Sequence, residues 1–131
     1  MNREILFKAK RKDNGEWVEG GYFSEPYTDK KFIICWNSMG LGFNEFIEID
    51  PDTLCQYTGL TDKNGKEIWE NDIVRNKKGD IGVAQWFEEH AAFMIWNKTK
   101  NCVCYLAEND FSKIEVNGNV FDNLELLEAK E

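Results

Sequence analysis

The side chains most able to do chemistry in this sequence are four cysteines and a single histidine. Cys102 and Cys104 are separated by one residue, whereas zinc sites normally place two residues between paired cysteines within a turn. No second pair of that kind occurs, and Cys35 and Cys55 stand among Ile, Trp, Leu and Tyr residues, as core cysteines do. We therefore expect reduced thiols, no metal site and no cofactor.

The histidine, His90, follows Glu88 and Glu89 in a predicted turn. Carboxylates beside an imidazole can act in acid–base catalysis, but a turn between strands is also where solvated charge is expected. Asp50 and Asp52 flank a proline, which is typical of a turn rather than of a catalytic carboxylate pair. The chain also lacks the P-loop, dinucleotide-binding, zinc-protease and nucleophile-elbow motifs. We expect no catalytic residues and no enzymatic activity.

Short alternating or apolar runs, separated by turns, recur along the chain and predict a mainly β protein with little helix. The predicted strands are residues 5–10, 17–23, 32–36, 43–49, 81–87, 91–96 and 102–106. Gly20 and Gly21 indicate a bulge or a close backbone approach, and the fully apolar 32–36 run predicts a strand buried on both faces. We expect an N-terminal strand-rich lobe over residues 1–64 and a second lobe over residues 65–131. The pattern of the second lobe predicts a small SH3-like barrel over roughly residues 66–121, because closure removes exposed strand edges.

The segment between these lobes carries a hairpin signal at Asn64-Gly65. Both central positions of a two-residue type I′ turn need positive φ, which Asn and Gly accept at low cost. The side chains on the arms and tip of this hairpin are candidate interaction residues: Tyr57, Asp62, Lys63, Asn64, Lys66 and Trp69. The sequence leaves open whether they bind a partner or only seal the junction between the lobes.

The same segment, from Gln56-Tyr57-Thr58-Gly59-Leu60 to Asp62-Lys63-Asn64-Gly65-Lys66-Glu67-Ile68, closely resembles the hallmark of the YopX-like family of phage and prophage proteins. Residues 3–18 and 114–127 resemble the opening and closing segments of that family. Asn71 stands where members often have Gly, and Leu124 where they often have Pro. Because Asn tolerates left-handed φ, we expect the turn at Asn71 to be kept. The resemblance implies one YopX-like unit of uncharacterised activity and supplies no catalytic residues.

The net charge of −8 limits the partners that can be expected. A conventional duplex-binding protein neutralises phosphates with a basic surface, whereas this chain offers only two basic clusters, at residues 8–12 and 75–78. Nucleic acid is therefore a less favoured partner. The alternative function is a nucleic-acid-associated module, or an acidic mimic of nucleic acid. Its groove would be lined by Trp86, Phe93, Trp96, Lys98 and Lys100, because aromatic rings interleaved with lysines suit single-strand binding.

The five Trp, nine Phe and four Tyr residues are many for two thin lobes. Some rings should remain on the surface, and contiguous exposed apolar patches usually mark an interface. The resemblance implies a phage or prophage accessory protein. Together with the missing catalytic motifs, the exposed rings lead us to expect that it is non-enzymatic, binds a host or phage protein and forms a homo-oligomer.

The sequence also bears on location. No apolar run approaches the roughly 18 residues that a membrane span needs, and the N-terminus lacks the features of a signal peptide. We expect no membrane association and a location in the cytoplasm of the host cell.

Overall fold

The computed structural model describes residues 5–36, 44–105 and 114–128. Within these ranges the chain forms eleven β-strands, two short 3₁₀ turns and one four-residue α-helix, which confirms the prediction of a mainly β fold with little helix. The chain divides into two compact units, Met1–Tyr57 and Thr58–Glu131. No helix in the described ranges is long and apolar enough to cross a membrane.

The first unit is built on an antiparallel sheet whose neighbours follow the order β4-β3-β2-β1-β5. The strands are β1 (Phe7–Lys10), β2 (Trp17–Ser24), β3 (Lys31–Trp36), β4 (Asn44–Glu48) and the beginning of β5 (Cys55–Thr61). An isolated antiparallel bridge between Arg11 and Ile49 joins the end of β4 to the end of β1, so the sheet curls. Its inner face holds the buried core residues Ala9, Ile33 and Ile49.

The predicted close backbone approach in β2 is confirmed at Gly20. A Cβ atom at this position would overlap the carbonyl oxygen of Ile34 in β3, so no larger residue fits without a shift of the backbone. No atom lies within 4 Å of a Cβ atom built at Gly21. Only Gly20 of the pair is therefore required to be glycine by a neighbouring backbone.

The strand β5 carries the chain from the first unit into the second. The second unit contains β6 (Glu67–Trp69), β7 (Asp72–Arg75), β8 (Ile81–Phe87), β9 (Ala92–Asn97), β10 (Cys102–Tyr105), β11 (Glu115–Asn119) and α1 (Glu125–Glu128). Five of these strands form an antiparallel sheet in the order β10-β9-β8-β7-β11. Its core consists of the buried residues Ile68, Val74, Ala84, Ile95, Ile114 and Val116.

The second sheet is open in the part of the chain that the structure describes. The chain returns with β11 beside β7, which leaves β10 and β11 at opposite edges with no described pairing between them. The strand pattern was therefore predicted well, but the predicted closure into a barrel is not found among the described strands. Strand alternation determines the face of the sheet on which each side chain lies, and it does not determine whether the two edge strands meet.

Candidate functional site

The tip of the hairpin between β5 and β6 is organised by the carboxylate of Asp62. Its Oδ1 accepts the backbone N–H groups of Asn64 at 2.8 Å and of Lys66 at 2.9 Å, and its Oδ2 accepts the N–H of Val116 in β11 at 2.9 Å. Asp62 is only 6% exposed. Burial raises the pKa of this carboxyl, but the three N–H donors outweigh burial, so its pKa lies below the ordinary value. Asp62 is an ionised structural acceptor that ties the tip to β11.

The same carboxylate explains why the predicted type I′ turn is wrong. Gly65 has a φ of 78°, whereas Asn64 is not in the left-handed region. The N–H of Asp62 donates to Lys66 O at 2.7 Å and the N–H of Gly65 donates to Asp62 O at 3.0 Å, which closes a three-residue loop that ends in a left-handed glycine. An Asp that accepts the N–H two residues ahead favours this turn over the two-residue form. The turn expected at Asn71 is confirmed, with a φ of 71°.

The candidate interaction residues of the hairpin fall into two groups: Tyr57, Asp62 and Trp69 are buried, and Lys63, Asn64 and Lys66 are exposed. The exposed tip is also held by the second unit itself. The N–H of Lys63 donates to Ile114 O at 2.9 Å, and Nδ2 of Asn64 lies 3.4 Å from Oε2 of Glu115. The chemistry that the tip offers to a partner is therefore two ammonium groups and an amide on a fixed loop.

The five residues of the alternative nucleic-acid groove do not line one surface. Trp86 and Phe93 are directly opposed on β8 and β9, with ring centroids 5.1 Å apart. Trp96 lies three residues after Phe93 on β9 and opposes Val83, so it is on the other face of the sheet. Sequence proximity placed these rings together, whereas the period-two alternation of the strand separates them.

The two lysines of that groove lie in the turn after β9. Nζ of Lys100 is 3.6 Å from Oδ2 of Asp80, an oxygen that also accepts from Nδ2 of Asn76 and of Asn97 at 3.2 Å. The hydrogen bonds from Asn97 and Asn76 lower the pKa of Asp80, and Lys100 adds to this effect. Lys100 thus helps to tie the two turns of this sheet together.

The basic cluster near the N-terminus also has partners within the protein. Nζ of Lys8 and Nζ of Lys10 lie 4.9 and 5.5 Å from the ring centroid of Trp17. The next two basic residues, Arg11 and Lys12, form ion pairs with carboxylates of the same unit. These cations already contact an aromatic ring or a carboxylate of the protein itself, and a phosphate would compete with those contacts.

The sequence did not predict an aromatic cluster on the outer face of the first sheet. We call Phe23, Phe32 and Phe46 the Phe cluster; their ring centroids lie 6.0 to 6.3 Å apart. Phe23 is 38% exposed and Phe46 is 55% exposed. The prediction of β3 as a strand buried on both faces is therefore wrong: Ile33 faces the core, while Phe32 points to the outer face with Phe23 and Phe46. Alternation along a strand puts Phe32 and Ile33 on opposite faces, which the sequence could show, whereas the pairing of Phe32 with Phe23 comes from the structure.

An open depression of about 360 Å³ lies beside the outer edge of β4. Its lining consists of Arg11, Lys12 and Asp13 from the turn after β1, and of residues 45–48 from β4. Nε of Arg11 is 3.0 Å from Oδ1 of Asp13, and Nζ of Lys12 is 3.3 Å from Oε2 of Glu48. The Arg11–Asp13 pair thus lies on the turn side of the depression, and the Lys12–Glu48 pair joins the turn to the strand.

The described residues contain no group of three His, Cys, Asp or Glu side chains placed to hold a metal ion. Cys102 and Cys104 are two apart in β10 and share a face of the strand, but no third ligand joins them in the described ranges. His90 is exposed in the 3₁₀ turn after β8, beside Glu88 and Glu89.

Comparison with known proteins agrees with the hairpin resemblance. The family model described as YopX protein matches residues 6–128, which includes the Asp62 hairpin, the Phe cluster and β11. No curated protein matches the chain. Because the family match covers nearly the whole sequence, the chain belongs to the YopX family.

Proposed function

We propose that this YopX-family protein is a non-enzymatic protein-binding module of phages or prophages. The observation that carries this proposal is the Phe cluster, which lies on the outer face of a sheet whose inner face already holds a core. Contiguous exposed apolar surface is uncommon on a monomeric protein and marks interaction sites. Aromatic side chains, Phe among them, are enriched at protein interfaces relative to the rest of the surface.

The geometry of the Phe cluster favours binding further. Phe46 meets Phe23 and Phe32 edge to face, and such ring pairs are each worth about 0.5–1.5 kcal/mol beyond the area that they bury. The rings therefore hold one another in place before a partner arrives. Binding costs less conformational entropy when the side chains at the interface are already ordered.

The proposed partner is a second copy of this chain, together with a protein of the phage or of its host, and the proposed location is the host-cell cytoplasm. Symmetric self-association is the commonest way in which a patch of this kind is covered. The acidic net charge of −8 and the engaged basic residues support a protein partner over a nucleic acid.

The proposal is tested by light scattering on a sizing column at micromolar concentration. Wild type should elute as a dimer or a larger closed assembly, and Phe46→Ser should move it toward the 15.3 kDa monomer. Tyr27→Ser is the matched control, because Tyr27 is fully accessible in a loop and makes no ring contact with the Phe cluster. A clean wild-type monomer would refute the homo-oligomer.

Binding to other proteins is then tested by cross-linking in phage-infected host extract. A specific partner should be retained by wild type and by Tyr27→Ser and lost by Phe46→Ser. A monomer that retains no protein in this comparison would refute the binding module altogether.

A further inference from the structure

We propose that the outer edge of β4 receives an extended, basic and apolar segment of a partner protein as an additional antiparallel strand. This inference rests on the proposed protein-binding function and names the part of the protein and the chemistry of the segment that would be bound. It uses the depression beside β4 and the exposed ring of Phe46, which are continuous with each other.

The hydrogen bonds around β4 show which backbone groups are available at its edge. The N–H of Ile49 donates to Lys31 O at 3.0 Å, so Ile49 and Lys31 are a hydrogen-bonded pair of the antiparallel ladder between β4 and β3. In an antiparallel ladder these pairs alternate, which directs the N–H and C=O groups of Phe46 and Glu48 away from β3. Glu48 confirms this direction, because its carbonyl accepts the N–H of Lys12 at 3.0 Å.

Among the residues that the structure describes, the pairing along this edge stops at Glu48. The chain turns at residues 12–14, and the N–H of Gly15 donates back to Arg11 O at 2.9 Å. The outward N–H and C=O of Phe46 are the next rung of the ladder, and they face the depression. Such a rung is a template for one residue of an incoming strand.

The side chains of β4 define what the incoming strand should carry. Phe46 is on the outer face, so an apolar side chain of the added strand would lie on the Phe cluster. Ile47 points to the opposite side and is buried, so it contributes to the core rather than to the contact. One face of the added strand should therefore be apolar.

The charges of the depression favour basic residues in the added strand. Arg11 is paired with Asp13 and Lys12 with Glu48, while Glu45 is exposed and forms no ion pair among the described residues. The lining therefore has a net charge of −1, on a chain whose net charge is −8. A lysine or arginine of the added strand that meets Glu45 would be attracted, whereas an acidic segment would be repelled.

The first experiment measures binding of two fluorescent heptapeptides by anisotropy. One alternates Lys with Val and Phe, and the other replaces each Lys by Glu. Wild type should bind the Lys peptide about tenfold more tightly than the Glu peptide, and Glu45→Lys should reduce or reverse this preference. Equal binding of both peptides, or no binding of the Lys peptide at millimolar concentration, would overturn the inference.

Hydrogen exchange then separates strand addition from simple contact with the rings. The Phe46 amide should exchange rapidly in the free protein and become protected when the Lys peptide is bound. Peptide binding that leaves exchange at Phe46 unchanged would contradict strand addition.

Two variants at one position isolate the backbone contact. Phe46→Ala removes the ring and keeps the outward N–H, whereas Phe46→Pro removes both without taking a donor from the β4–β3 ladder. Phe46→Pro should bind the Lys peptide about fivefold more weakly than Phe46→Ala. Equal affinities of two folded variants would refute the added strand. If circular dichroism shows that Phe46→Pro is unfolded, the exchange measurement on wild type decides.

Failure of this inference is distinguishable from failure of the proposed function. If the peptide does not bind but Phe46→Ser still breaks the assembly, the Phe cluster binds protein through its face and the β4 edge is not used. Pairing of β4 with a second copy is a further outcome, in which the Phe46 amide is already protected in the wild-type oligomer, and it would overturn the basic peptide as the occupant.

Discussion

Replacing Asp62 by Asn should destabilise the second unit by about 1.5–4.5 kcal/mol. The Asn side chain keeps one oxygen and places an NH₂ group where the second oxygen was, so either the hairpin tip or the N–H of Val116 meets a donor instead of an acceptor. Leaving a buried N–H such as that of Val116 unsatisfied costs about 1–3 kcal/mol. The weakened bonds to the exposed tip add about 0.5–1.5 kcal/mol. This sum is a large part of the stability of a typical domain.

Urea denaturation followed by tryptophan fluorescence gives the free energy of unfolding, and hydrogen exchange of the Val116 amide reports on the contact itself. Asp13→Asn is the control, because Asp13 is exposed and solvent screens its ion pair with Arg11, so this substitution should change stability little. The Val116 amide should exchange faster in Asp62→Asn and remain unchanged in the control.

The pH dependence provides a second check. The folded pKa of Asp62 is below its ordinary value of 3.8, so the stability from its carboxylate is complete above that value and is lost as pH falls through the folded pKa. The stability difference between wild type and Asp62→Asn should therefore shrink in strong acid. A difference below about 0.5 kcal/mol at neutral pH, or one that does not change with acidification, would refute the role given to Asp62.

Three further predictions concern other parts of the chain. Gly20→Ala should destabilise the first unit by about 1–3 kcal/mol in a urea titration, because the added Cβ meets the backbone of β3. Gly21→Ala is the control and should change stability by less than about 0.5 kcal/mol. Similar losses of stability in both variants would contradict this prediction. Ala91 has a left-handed φ of 48°, so Ala91→Gly should raise the unfolding free energy by about 0.5–1 kcal/mol, and a loss of stability would show that the residue is not strained. Labelled oligonucleotides at about 50 and 200 mM salt should show no salt-sensitive micromolar binding in anisotropy, and such binding abolished by substitution of Lys98 and Lys100 would instead favour the nucleic-acid function.

The strands and turns were largely predictable because they depend on local pattern. The alternation of Ile81 to Phe87 gives β8 with the predicted bounds, and Asn71 takes the left-handed conformation that its type allows. The close approach at Gly20 was also visible, since a glycine inside a strand pattern signals a neighbouring backbone.

What the sequence could not show depends on contacts between distant residues. Asp62 and Val116 are 54 positions apart, so nothing near Asn64-Gly65 reveals that the carboxylate also accepts a hydrogen bond from β11. The Phe cluster likewise needs three strands side by side before its rings meet. An apolar run alone does not show which of its faces a core will cover.

The contact between Asp62 and Val116 also sets an order in time. During synthesis the hairpin tip leaves the ribosome long before β11, so Asp62 must remain hydrated until Val116 arrives. The core residues of the first unit all precede Asp62 in the chain, so the first unit can form its core without waiting for β11. Closing a 54-residue separation is slow compared with forming a hairpin, so the nascent second unit passes through a period in which β7 has one open edge and Asp62 has no β-strand to bind. In this protein the last of the described strands supplies a backbone donor to a carboxylate that was made near the middle of the chain.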